Sequence, residues 1–224
     1  MALLETRLAP DTLSGMDDTA MRGSIDLFWL PIGAGGYSVR WNGRIYEALA
    51  ALHEGRPACD IYHSALEVRH GGGRYVIEMG PAWGASGPNR GVVCGGPVGA
   101  KWLGRFRLFR YEVRGWRDGL IPDAAQAVQS PRRLSEEPQQ AGELLVLLHN
   151  IPSLTWGRDE IASGEMWNSN SVVSWLLAST GHDMKAIQPP VGGRAPGWQA
   201  GLVMAEKRRT SHREVPQPAA TGVR

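Results

Sequence analysis

Two short strand-like runs, Asp60–Arg69 and Arg74–Met79, are joined by His70-Gly-Gly-Gly73. A glycine-rich link between two β-prone segments forces a tight antiparallel hairpin, because glycine alone enters the positive-φ turn region at little cost. The hairpin fixes one layer of the fold as antiparallel sheet. Ile25–Ile32 is a compact apolar run ending at Pro31 and Gly33-Ala-Gly-Gly36, and it reads as another buried strand. Tyr37–Trp41 reads as a short strand closed by Asn42-Gly43, and Arg44–Glu54 as a short helix stopped by Gly55. Arg105–Val113 alternates basic and apolar residues, as a half-buried strand with a basic outer face does.

Helical periodicity enters late in the chain. Pro122 to Val128 reads as a short helix with proline at its start, and Glu143–His149 closes a second. Glu165 to Thr180 carries the clearest helix, ended by Gly181. Residues 189–198 read as loop and Ala200–Ala205 as a last strand. The glycine- and proline-rich stretch 80–104 reads as one long loop, a length that in a compact domain is commonly functional. The expected class is α+β, with a mainly antiparallel sheet or partly open barrel packed against the late helix. Residues 1–22 are expected to be a disordered leader, 23–206 the single domain, and 207–224 a disordered tail rich in charge, proline and glycine.

Composition narrows the function classes. Hydrophobic residues at 42% and nine tryptophans support a substantial core. A formal net charge of +2 with scattered basic residues argues against a nucleic-acid partner. The densest basic cluster, Lys207-Arg208-Arg209 with Arg213, falls in the expected tail. Two cysteines, Cys59 and Cys94, are too few for a disulfide framework or a cysteine-rich zinc site, and no metal or cofactor is expected. The glycine clusters match neither a dinucleotide nor a P-loop pattern. No apolar run reaches membrane length, so stable membrane insertion is not expected and the cytoplasm is the default compartment.

The sharpest chemical feature is Asn168-Ser-Asn-Ser-Val-Val-Ser-Trp, a polar cluster opening an apolar helix. Residues 169, 172, 173 and 176 share a helical face, which turns Ser169 inward beside the free N–H groups of the helix start. Such donors can stabilise developing negative charge. The competing reading is capping, since Ser and Asn are preferred there; four polar residues in a row exceed what one cap needs. His63 stands near the start of the first hairpin strand, and Glu78 on the second strand is a candidate orienter, with Glu67 and His70 as rivals. Cys94 ranks below Ser169 as nucleophile because nothing near it would lower a thiol pKa. Cys59 reads as a small core residue.

The order of these features resembles the circularly permuted papain-like superfamily, which includes PPPDE-type isopeptidases and lecithin retinol acyltransferase-like proteins. The residues carrying the resemblance are His63-Ser-Ala-Leu-Glu-Val68, Glu78-Met-Gly-Pro81 and Asn168-Ser169-Asn170. It spans roughly 59–82 and 165–180, and Ser169 stands where that superfamily has cysteine. The resemblance implies a permuted papain-like fold and a hydrolase or acyltransferase acting on an amide, ester or thioester of a small-molecule, lipid or peptide substrate. Ser169 would be the nucleophile, His63 the base and Glu78 its orienter. The helix start with Asn168 and Asn170 would form the oxyanion site. Core packing is the default assignment for Trp83, Trp102 and Trp198; with such a site present, some of them would wall an acyl- or peptide-binding groove. The alternative is a catalytically inactive ligand- or peptide-binding module on the same fold.

Overall fold

The computed structural model describes residues 22–32, 55, 57–83, 91–121 and 123–213. The expected elements Tyr37–Trp41 and Arg44–Glu54 lie outside the described residues, as do 1–21 and 214–224. The strands are β1 (Ser24–Pro31), β2 (Asp60–His70), β3 (Gly73–Pro81), β4 (Val92–Pro97), β5 (Arg110–Arg117), β6 (Val128–Ser135) and the two-residue β7 (Gly193–Arg194). Six of them form an open sheet in the order β4-β5-β3-β2-β1-β6, with every neighbouring pair antiparallel. β7 runs parallel to the first residues of β2. The helices are α1 (Pro138–Leu147), α2 (Ser169–Ser179) and α3 (Trp198–Arg213). The class is α+β.

The β2–β3 hairpin forms as its sequence dictates. His70 pairs with Gly73, and Gly71 and Gly72 sit at φ +57° and +73°, the backbone of a primed two-residue turn. β1 lies between β2 and β6 and is buried along nearly its whole length, which accounts for its continuous apolar run. Strand alternation then sorts the sheet into two faces. Ile25, Leu27, Trp29, Tyr62, Leu66, Val68, Ile77 and Met79 join the large core under the helices. Phe28, Leu30, Ala65 and Val76 join Ile121 in a smaller cluster on the opposite face.

α2 is the middle layer, packed between the sheet and α3 and touching α1. It is therefore buried all round from Ser169 to Ala178, unlike an ordinary surface helix with one wet side. α3 comes close because residue 201 is glycine. A Cβ there would collide with the Ser174 hydroxyl and the Ser171 carbonyl of α2. Trp198, at the start of α3, packs on Trp29 with ring centroids 5.1 Å apart.

Four expectations are corrected. Stretch 80–104 is not one loop: β4 occupies 92–97 and a 3-10 turn occupies 101–105. Its glycines permit close approach, since a Cβ at Gly95 would meet the Tyr111 carbonyl and one at Gly96 the Tyr111 ring, each at 2.7 Å. Arg105–Val113 is strand only from Arg110 onward, and 107–109 forms a second 3-10 turn. Of the helix expected over 122–128, the described residues 123–128 form only a 3-10 turn at Ala124–Gln126 and the first residue of β6. β6 is an edge strand, where the missing N–H of Pro131 is tolerated. The strand expected at Ala200–Ala205 is part of α3. A six-residue apolar run does not distinguish helix from strand, and contact with α2 decides it. α3 also continues through Lys207, Arg208 and Arg209, with Arg208 lying over the Trp175 ring. Among the described residues no helix is long and apolar enough to cross a membrane.

The Gly201 contact yields a direct check. Gly201→Ala is expected to destabilise the fold by about 1–3 kcal/mol, the usual cost of overpacking, read as a lower urea midpoint at unchanged m-value.

Candidate functional site

The start of α2 is built from hydrogen bonds that reach two other segments. Asn168 is the N-cap: its Oδ1 accepts from the N–H of Asn170 (2.9 Å) and of Ser171 (3.3 Å), and its own N–H donates to Ser171 Oγ (3.0 Å). This closes a reciprocal capping box. Asn170 reaches the sheet, accepting from Ser64 Oγ (2.8 Å) and donating to the Tyr62 carbonyl (2.9 Å). Asn168 and Asn170 both donate to the Pro196 carbonyl at 2.8 Å. Ser171 Oγ donates to the Gly197 carbonyl (2.7 Å) and Ser174 Oγ to the Trp198 carbonyl (2.8 Å). The surplus of polar residues over a single cap is thereby explained. They fasten the helix to β2 and to the loop entering α3.

This architecture employs the groups expected to serve an oxyanion. Two of the helix-start amides are taken by the Asn168 side chain, and both Asn side chains are engaged with protein partners. Ser169 is buried, with 8% of its surface exposed, and none of the bonds that fasten the helix start uses its hydroxyl.

His63 is elsewhere. It pairs with Leu30 across β1, and alternation along β2 sets it with Ala65 and opposite Tyr62, Ser64 and Leu66. Ser64 is the residue that turns toward α2. His63 therefore projects from the sheet face that looks away from the Ser169 helix. Burial drives its pKa down to about 4, partly opposed by the charge of Asp123, so the ring is neutral at physiological pH. Asp123 holds a left-handed backbone, φ +62°, in the turn that follows Ile121.

Glu78 shares the His63 face but is engaged by Arg114 at 3.0 Å, and Arg114 also donates to the Pro81 carbonyl (3.1 Å) and lies 3.5 Å from Glu112. Burial raises the Glu78 pKa against the pull of that guanidinium. The rival orienters are no closer. Glu67 binds Arg69 and Arg74, and a strand rise of about 3.3 Å per residue sets it about 13 Å along β2 from His63. His70, about 23 Å along the same strand, lies where a Cβ on Gly142 of α1 would strike it. No hydrogen bond among the described residues joins His63, Ser169 and Glu78, so the expected triad is not assembled. Burial raises the Cys94 thiol to about 11, which keeps it protonated. Cys59 is partly buried and precedes β2.

The three tryptophans separate. Trp198 is partly buried and packs against the core through Trp29. Trp83 and Trp102 are exposed, at 59% and 64%, which overturns the default assignment to packing. Trp102 sits in Gly99–Leu108, a closed excursion between β4 and β5. The Val98 N–H donates to the Phe109 carbonyl (2.9 Å), joining its two ends. Inside, Leu103, Phe106 and Phe109 each donate to the carbonyl three residues earlier, giving three successive tight turns. The result is a surface loop with its ends held together. Gly104 rests on Pro97, and Lys101 reaches Glu160 at 3.2 Å.

This loop exposes Phe106 (47%) and Leu108 (61%) as well as Trp102, with Phe109 (38%) at its end. Lys101, Arg105, Arg107 and Arg110 stand among them, all exposed, and residues 98–111 contain no acidic side chain. Arg105 lies 5.5 Å from the centroid of Trp102 and 4.7 Å from that of Phe106. Trp83 joins from β3, because the Ala82 N–H donates to the Arg110 carbonyl (2.9 Å). The sequence carried a signal for this surface in its acid-free run of aromatics and cations, but period-two alternation disguised it as a strand. Comparison of the chain with known protein-family models, curated proteins and solved structures finds no match in any of the three.

The displaced histidine has a measurable signature. Its folded pKa lies below the ordinary value of about 6.5, so the unfolded chain binds the proton first as pH falls. The stability owed to a neutral His63 is present above about pH 6.5 and is lost toward pH 4. Across that window His63→Gln is expected to remove up to about 1.4 kcal/mol per pH unit of the slope, measured by urea denaturation of both proteins at matched pH.

Proposed function

We propose that the chain is a catalytically inactive binding module whose working surface is the aromatic–basic loop Gly99–Leu108 with Phe109, Arg110 and Trp83. The observation that carries this reading is the joint exposure of five large apolar side chains and four cations on one closed loop and the strand end beside it. Single exposed apolar residues are ordinary, whereas a contiguous group marks an interaction site. A serine hydrolase needs its base within hydrogen-bond reach of its nucleophile. Here strand alternation turns His63 to the sheet face away from the helix that carries Ser169. The asparagines that an oxyanion site would use instead hold the helix in place.

Two measurements on the full chain test this reading. On immobilised heparin, a generic polyanion, wild type is expected to be retained, and Arg105→Gln/Arg107→Gln/Arg110→Gln to elute at clearly lower salt. Wild type is also expected to stay unlabelled by a fluorophosphonate probe. Equal elution of the two proteins, or labelling that disappears in Ser169→Ala, would overturn the proposal.

A further inference from the structure

We infer that the partner of this loop is the surface of an anionic phospholipid bilayer, an assignment that rests on the binding-module reading above. Three observations favour it. First, the exposed apolar groups are of the kind that enters the bilayer interface. Trp102 and Trp83 carry an apolar body with a polar N–H, and Phe106, Phe109 and Leu108 are wholly apolar. Second, Arg105, Arg107 and Arg110 stand among these groups in a run without an acidic residue, while the fourth cation, Lys101, pairs with Glu160 at 3.2 Å. That matches a layer whose charge lies above its hydrocarbon, where Lys and Arg keep their heads among phosphates while their stems lie along apolar surface. Third, the Arg105 guanidinium already lies over the Trp102 and Phe106 rings. It covers part of the aromatic surface on which nucleic-acid bases would stack, and Leu108, among the most exposed of the group, offers no π face.

The loop is also shaped for shallow contact. Its successive tight turns hold Trp102, Phe106 and Leu108 at the surface without a long helix, and the bond between Val98 and Phe109 keeps it from unravelling into the sheet. The chain would dock and leave by this one face, since none of its described helices can span the membrane. The cytoplasmic location expected from the sequence would set the loop against the leaflets richest in anionic lipid.

The test is co-sedimentation of the full chain with sucrose-loaded vesicles of phosphatidylcholine alone or with about one-third phosphatidylserine. Wild type is expected on the phosphatidylserine vesicles and far less on the neutral ones. Trp102→Ser/Leu108→Ser alters only exposed side chains, and circular dichroism verifies its fold. It is expected to lose at least about tenfold in partitioning and to shift on heparin less than the triple arginine variant does. The triple arginine variant is expected to lose both. Heparin retention without vesicle binding would overturn the bilayer assignment and leave the binding module standing. Vesicle binding that Trp102→Ser/Leu108→Ser leaves unchanged, or that ignores lipid charge, would also overturn the assignment. So would tighter binding to a single-stranded oligonucleotide that depends on the arginines alone.

Discussion

The seam at the start of α2 is the interaction on which the rest of the structure depends. Asn170 binds β2 through Ser64 and Tyr62 and binds the 196–198 loop through Pro196, so one side chain joins three segments distant in sequence. Ser171 and Ser174 repeat the attachment toward Gly197 and Trp198. Buried polar groups left unpaired cost about 1–3 kcal/mol each, whereas a fully satisfied network favours one arrangement over its near neighbours. The apolar layers above and below α2 are non-directional. The seam therefore sets where along the sheet the helix stops, and the Gly201 approach sets how near α3 can come.

The second face of the sheet follows a different logic. Asp26, Glu67 and Glu78 each alternate away from the helices and each meets an arginine, Arg133, Arg74 and Arg114 respectively. Beside them Phe28, Leu30, Ala65 and Val76 form a compact apolar patch with Ile121. This accounts for Glu78 pairing with a guanidinium in place of an imidazole. Its cross-strand partner on β5 is Arg114, and opposite charges directly across an antiparallel pair attract. His63 on the same face is left with burial as its dominant influence and Asp123 as its charged neighbour.

Legibility of the fold tracked the range of the forces involved. The β2–β3 hairpin and the strand at Ser24–Pro31 were readable because turn chemistry and apolar runs are local. The late helix was readable from its periodicity, although it begins at Ser169 and not at Glu165. β4, β6 and α3 were not readable, because glycines that serve close packing look like loop glycines and a short apolar run has no fixed period. The residues of the candidate triad were legible as unusual but not as to purpose. Asn168, Asn170 and Ser171 are unusual because they make long-range hydrogen bonds, and nothing local tells such a residue from one that awaits a substrate. A shift of one residue separates Ser64, which meets the helix, from His63, which turns away. In a strand that single step is the difference between opposite sides of the molecule.

The bond that ties Val98 to Phe109 also divides the chain into parts with different freedoms. The sheet is complete once β4 and β5 are paired, and the ten residues between the two ends contribute no fully buried side chain. Apart from Gly99, at φ +76°, and Gly104, against Pro97, their composition is consequently only loosely coupled to the core. If the loop is the binding surface proposed above, its contacts can be rewritten at little expense to the scaffold, whereas a comparable edit at Asn170 or Gly201 would disturb the whole. The molecule is in this sense a fixed chassis carrying an interchangeable tip.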